Sequence, residues 1–235
     1  MYHQHFNTIG STQIFLKENL ERLQAKEHDI LISCSEQTGG IGRKGNVWDT
    51  YPNSLAMSFT LKPNPRPTLT PIEIGLIAIK YFHKKFKKEL FLKWPNDLLT
   101  ADGKKCGGIL CQYIDENTVI SGLGVNLGQL SVKNGNDYKH GLGNVDDSLI
   151  LNEEDQQQIS KELYEEFLHG RYFSNVELVD DFQRYCHHMN KEVFIYEDEK
   201  DYIGTFRGIG ENGEAHVEID GKIKMFLSSS LTILN

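Results

Sequence analysis

Lys93-Trp94-Pro95-Asn96-Asp97 puts a cation, an amide and a carboxylate into one short stretch, stiffened by its Trp-Pro pair. Lys104-Lys105-Cys106-Gly107-Gly108-Ile109-Leu110 brings a lysine into a strand beside two glycines, where a ligand or a second backbone has room to approach. Gly122-Leu123-Gly124-Val125-Asn126-Leu127 repeats the pattern, with glycines at alternate positions and an amide at the end. Gly40-Ile41-Gly42-Arg43-Lys44-Gly45 offers backbone N–H groups, an arginine and a lysine suited to wrapping an anion. These are residue types for bringing a carboxylate to a phosphate. Two such anions ~4 Å apart repel by about 4 kcal/mol at an effective dielectric near ~20, so a closed site needs cations. Arg43 and Lys105 are the candidates. Asp97 is a candidate Mg²⁺ ligand, since carboxylate oxygens suit that ion, and it also stands ready to orient an incoming amine. Lys93 either binds phosphate or pairs with Asp97.

Other chemistries find less support. The glycine-rich stretch satisfies G-x-G-x-x-G, but a dinucleotide site requires a helix to open there. Instead Asn46-Val47-Trp48-Asp49-Thr50-Tyr51-Pro52-Asn53 follows, with turn formers and no helical period. No P-loop occurs. Cys34, Cys106, Cys111 and Cys186 show no C-x-x-C spacing, which argues against a zinc site or a disulfide scaffold. His187-His188 diverge on either a helix or a strand and are expected at a polar helix end. The run Lys84-Lys85-Phe86-Lys87-Lys88 is expected as a solvated last helical turn.

The elements that must carry these groups follow from periodicity. Ser11-Thr12 starts a helix carrying Leu16, Leu20 and Leu23, and Ile30-Leu31-Ile32 is a buried strand. Leu55 to Leu61 is a second strand, followed by a helix from about Pro71 to Lys88. Leu90–Lys93, Leu98–Thr100, Gly108–Gln112 and Val119–Val125 are further strands. Asn152 caps a helix with Ile159, Leu163 and Phe167 on one face and Gly170 as terminator, and another helix runs from about Val176 to His188. From Lys191 onward there are five short β segments separated by turns such as Asp220-Gly221, which predicts a small barrel. A boundary near residue 188 therefore separates a catalytic unit, 1–188, from a C-terminal unit, 189–235.

Composition sets the frame. The chain has 235 residues and a net charge of −8, which disfavours nucleic-acid binding. No apolar run approaches the roughly 20 residues that span a bilayer, and the start of the sequence lacks a signal-peptide pattern, so no membrane and a cytoplasmic location are expected.

In order and spacing, Gly40 to Trp48, Lys93 to Asp97, Lys105 to Leu110 and Gly122 to Asn126 resemble the biotin protein ligases over essentially the whole chain. The resemblance implies an α+β fold, a mixed β-sheet with helices on one face, as in class II synthetase-like enzymes, followed by an SH3-like barrel. It implies that biotin and ATP with Mg²⁺ give biotinyl-5′-AMP, whose biotinyl group passes to a lysine of a biotin carboxyl carrier protein. By position, Ser11, Thr12 and Gln13 resemble the first biotin contact and Gln37 the second, while Gly40, Ile41, Gly42 and Arg43 resemble the segment that closes over biotin. Lys105 resembles the lysine near the carboxylate and phosphate, and Gly107 is a further position on the biotin side by the same resemblance. Arg43, Asn46, Trp48, Lys93, Asn96, Asp97, Lys105 and Asn126 fall on the ATP side, with Asn126 as the adenine-side amide.

Two positions depart from the common bacterial loop G-R-G-R-R-G-R: Ile41 replaces its first arginine and Asn46 its last, and the Gly45-Asn46-Val47-Trp48 form resembles the variant of eukaryotic members. Because the Ser-Thr pair stands at residue 11, no DNA-binding unit is expected ahead of it. A homodimer through a sheet edge stays open. So do a lipoate or octanoate protein ligase, kept alive by Cys106 beside Lys105, and a non-catalytic biotin-binding module.

Overall fold

A computed structural model of the protein describes residues 1–130, 141–227 and 229–234. In chain order the elements are β1 (Tyr2–Ile9), α1 (Thr12–Gln24), β2 (Ile30–Gln37), β3 (Gly40–Ile41), β4 (Val47–Trp48) and β5 (Ser54–Leu61). Then come α2 (Thr70–Phe86), β6 (Leu90–Lys93), β7 (Asp97–Thr100), β8 (Lys105–Tyr113), β9 (Val119–Asn126), α3 (Glu153–His169) and α4 (Asn175–Tyr185). The last five strands are β10 (Glu192–Glu197), β11 (Lys200–Ile209), β12 (Ala215–Ile219), β13 (Lys222–Phe226) and β14 (Ser230–Ile233).

Seven strands form a mixed sheet in the order β1-β2-β5-β9-β8-β7-β6, parallel between β1 and β2 and antiparallel elsewhere. Period-2 alternation divides its faces. Leu31, Met57, Phe59, Ile109 and Leu123 pack with α2 and α3. Ile30, Ile32 and Ile120 on the opposite face pack with Leu16, Leu20 and Leu23 of α1. Helices therefore cover both faces, not the one expected. On the α1 face, the strand positions beyond α1 are small: Ser58, Gly122, Gly124 and Gly108. These small positions leave space above the sheet, and a cavity results, bordered by Leu110 on the same face.

The C-terminal strands make an antiparallel sheet, β13-β12-β11-β10-β14, compatible with the SH3-like unit expected. Its Val193, Ile195 and Phe206 belong to the same apolar cluster as Phe182 and Cys186, and Trp94 Nε1 donates to Gly213 O across the two sheets at 2.9 Å. The paired histidines depart from expectation. The helix ends at Tyr185, and His188 is fully buried with its ring 4.1 Å from that of Phe206. Burial, with Lys93 nearby, pushes the His188 pKa well below its usual value, so this residue is a neutral part of the core.

Candidate active site

The cavity on the α1 face holds about 540 Å³. One end is polar. Ser11 caps α1, and the first helical turn turns Thr12 and Gln13 inward, where both are buried. Gln37 Oε1 accepts from Thr12 N at 2.9 Å and from Thr12 Oγ1 at 3.1 Å. Ser58, buried at the centre of β5, lies 2.9 Å from Thr12 Oγ1 and donates to Gln13 Oε1 at 2.9 Å. This end presents amides and hydroxyls of both polarities over a glycine floor.

The glycine-rich stretch is a small hairpin, with Gly40 opposite Trp48 and Ile41 opposite Val47. Arg43 to Gly45 form a 3₁₀ turn at its tip, with Lys44 at φ 55°. The hairpin lays the Trp48 ring on the cross-strand pair Gly108 and Gly124. A Cβ on Gly124 would meet Trp48 Cε2 at 2.3 Å, so the indole needs glycine there. Trp48 Nε1 is buried without a hydrogen-bond partner among the described residues. Lys105 Nζ sits 5.8 Å from the centre of the same ring.

The charged end comes from two separate segments. The turn from β6 to β7, which includes a cis Trp94-Pro95 bond, presents Asn96 and Asp97. Arg43 Nη1 donates to Asn96 Oδ1 at 2.9 Å, and Asn96 Nδ2 donates to Ile109 O at 2.7 Å. Lys105 Nζ lies 2.7 Å from Asp97 Oδ1, and Lys93 Nζ lies 3.2 Å from Asp97 Oδ2. Burial opposes ionisation of Asp97, but the charges and hydrogen bonds of the two lysines outweigh it and hold its pKa below the usual carboxylate value. Burial likewise lowers the Arg43 pKa, against the pull of Asp97. Arg43, Lys44, Lys93 and Lys105 all line the cavity, with Asp97 the sole acid among the described lining residues. The site is thus cationic inside a chain of net charge −8.

A magnesium ion held by the protein does not fit this donor set. Asp97 offers one carboxylate with both oxygens already on lysines, and no group of three or more His, Cys, Asp or Glu able to hold a metal occurs among the described residues.

Of the candidates named from sequence, Ser11, Thr12, Gln13, Gln37, Ile41, Gly42, Arg43, Asn46, Trp48, Lys93, Asn96, Asp97 and Lys105 line the cavity. Gly40, Gly107 and Asn126 do not. Gly40 packs against Trp48 O and Gln37, Gly107 against Gly124 O and Leu98, and Asn126 is buried behind the end of β9. Cys106 points away from the cavity, its thiol donating to Leu98 O, and burial pushes its pKa up to about 12. Sequence reasoning missed Ser58 and the wall made by Ser229, Ser230, Leu231 and Thr232 at β14. The alternation that exposed Gly122 and Gly124 also marks Ser58, whereas nothing local marks the β14 wall.

Residues 6–126, half of the chain, match the model of the biotin/lipoate A/B protein ligase family. The chain belongs to this family. Within it, the chain is 25% identical over 240 residues to the bifunctional ligase/repressor BirA of Escherichia coli (strain K12), covering 96% of this chain and 72% of that protein. It is 31% identical over 158 residues to BirA of Bacillus subtilis (strain 168), covering 63% and 45%. Among solved structures, the biotin protein ligase from Aquifex aeolicus in complex with biotin and ATP superposes with a TM-score of 0.78 at 21% identity, over 99% of both chains. A biotin acetyl coenzyme A carboxylase synthetase from Helicobacter pylori superposes with a TM-score of 0.66 at 24% identity, over 95% of this chain and 99% of that one. These likenesses show that the ligase family's fold spans both sheets of this chain.

Proposed function

We propose that this protein is a biotin protein ligase, making biotinyl-5′-AMP and transferring the biotinyl group to a lysine of a biotin carboxyl carrier protein. One observation carries the proposal: Arg43 and Lys105, from separate segments, meet around Asn96-Asp97 at the charged end of a cavity whose other end is polar and uncharged. The names of the relatives, ligases all, support the same assignment.

In the first step the biotin carboxylate attacks the α-phosphate of ATP, and the bond to pyrophosphate breaks. Lys105 and Arg43 offset the repulsion between carboxylate and phosphate, and Lys93 adds charge behind them. Asp97 keeps both lysine ammonium groups in place. Any magnesium travels with the triphosphate as part of the substrate. In the second step the acceptor amine attacks the acyl carbon and AMP leaves. Deprotonating a lysine at neutral pH costs roughly 4 to 5 kcal/mol, and Asp97 is the one carboxylate on the described cavity wall able to orient that amine.

The polar end supports biotin over lipoate or octanoate. A cyclic urea has donors and an acceptor to match the hydroxyls and amides of Ser11, Thr12, Gln13 and Gln37, whereas an alkyl or dithiolane end would cover these polar groups without making any hydrogen bond to them. The direction of Cys106, with its raised pKa, also weakens an acyl-thioester route. The test offers biotin, lipoate and octanoate separately with ATP and Mg²⁺, and follows pyrophosphate release and the mass of an apo carrier domain. Release with biotin alone and a biotinyl mass gain are expected. Release with lipoate or octanoate in preference to biotin would overturn the assignment.

A further inference from the structure

Ser58 stands in the middle of β5, fully buried and directly opposite Gly122 of β9. Its hydroxyl joins two side chains of α1. It donates to Gln13 Oε1 at 2.9 Å and lies 2.9 Å from Thr12 Oγ1. Neither step of the reaction gives this hydroxyl a task.

The direction of each hydrogen bond around it is set from the backbone. Gln13 Nε2 lies 3.2 Å from Ile120 O, a carbonyl that only accepts, so the NH₂ end of the amide points there and also to Gln112 Oε1 at 3.2 Å. Gln13 Oε1 is left facing Ser58. A hydroxyl has one proton, and that of Ser58 goes to Gln13. Thr12 Oγ1 is therefore the donor in its contact with Ser58. On its other side Gln37 Oε1 is also an acceptor, since it takes Thr12 N–H at 2.9 Å and lies 3.1 Å from Thr12 Oγ1. Whichever oxygen takes it, the Thr12 proton stays within the wall, and the cavity meets Thr12 as an acceptor. Gly122 gives this arrangement room, because a Cβ there would meet Gln13 Oε1 at 2.7 Å.

We propose that Ser58 is a positioning residue for recognition of the urea: by giving its proton to Gln13 it makes Thr12 a donor to the wall and an acceptor to the ligand, which selects an N–H at that point. The proposal rests on the biotin reading of the cavity. A urea nitrogen satisfies Thr12, whereas a carbonyl or ether oxygen in the same place would face its lone pairs.

The test measures kcat and the KM values for biotin and ATP, by pyrophosphate release, for the unsubstituted protein, Ser58→Ala, Thr12→Val and the double variant. Ser58→Ala is expected to raise the KM for biotin about tenfold, with kcat and the KM for ATP unchanged, since it leaves Gln13 Oε1 unpaired and loosens Thr12. Desthiobiotin, which keeps the urea and lacks the sulfur ring, should lose by the same factor. In the Thr12→Val background the substitution should cost about threefold at most. Ser58→Cys keeps a weaker donor of similar size; its KM should fall between those of serine and alanine, and it serves if Ser58→Ala fails to fold. An unchanged KM for biotin, a fall in kcat alone, or a loss that multiplies fully with that of Thr12→Val would overturn the role of Ser58 and leave the biotin reading standing. Absence of release from the unsubstituted protein with biotin would overturn that reading and the inference with it.

Discussion

Both oxygens of the Asp97 carboxylate are committed, one to Lys105 and the other to Lys93, in a largely buried corner. The folded protein thus holds this group ionised below the range in which it titrates when unfolded. A carboxylate so depressed contributes stability above its unfolded pKa, near ~3.9, and that contribution is lost as pH falls through the lower folded value. Asp97→Asn should abolish adenylate formation. It should also lower stability by about 3 kcal/mol, because the buried Lys93 ammonium and the partly buried Lys105 ammonium lose their counter-ion; chemical denaturation checks this, and an unchanged midpoint would contradict it. The glycines give a second prediction at this scale. Gly124→Ala sets a methyl into the Trp48 ring and should displace the indole at a cost of about 1–3 kcal/mol, read as altered tryptophan emission and a loss of adenylate formation. The Lys-Trp-Pro-Asn-Asp stretch was legible because a strand end and turn account for Pro-Asn-Asp but not for the lysine and tryptophan beside them. What the sequence does not show is that Asn126 Nδ2 pairs with Gly143 O, because that partner lies well downstream in the chain.

Among the elements, strands with an apolar run or clean alternation were readable, and β1 was not. Its Tyr2-His3-Gln4-His5-Phe6 shows no clean alternation, because Gln4 interrupts the face on which Tyr2 and Phe6 pack toward α1, while His3 and His5 on the other face meet polar groups. His3 Nε2 and His5 Nδ1 both pair with Ser33 Oγ, at 2.8 and 2.9 Å, and His5 Nε2 pairs with Ser35 Oγ at 3.2 Å. Burial, then Lys161 and His5, lower the His3 pKa from 6.5 to about 4, and burial lowers that of His5 against the charge of Glu153. Between those two values the unfolded chain binds more protons than the folded one, so stability falls as pH drops from 6.5 toward 4. Thermal melts across that window should show the decline, and His3→Gln should flatten it; an equal decline in the variant would contradict the assignment. The α3 start was readable from Asn152, whose capping box with Asp155 is present. Asn152→Ala should cost about 1 kcal/mol with activity retained.

At the scale of the molecule, the second sheet takes part in the site. Lys44 Nζ donates to Ser230 Oγ at 3.1 Å, tying the hairpin tip to β14, and Trp94 reaches Gly213 from beneath Asn96-Asp97. With one apolar cluster running between the sheets, unfolding should be a single transition. Trp94→Phe removes the indole donor and leaves Gly213 O unpaired, which should cost about 1–3 kcal/mol. At about 2–4 °C per kcal/mol for a chain of this size, the whole transition should move down together. A separate early transition would show that the sheets unfold independently.

The sequence by itself determined most of the residues that meet in the cavity and the strands and turns on which they sit. Residue type and short-range periodicity are local properties, and the glycine alternation of β9 even marks the cavity floor. Only the tertiary structure decided that Asp97 serves two lysines, that His188 lies in the core, that β14 walls the cavity and that Asn126 pairs with Gly143. Each of these depends on contacts between segments distant in the chain, where burial and backbone pairing select the partner, and no local pattern encodes that selection.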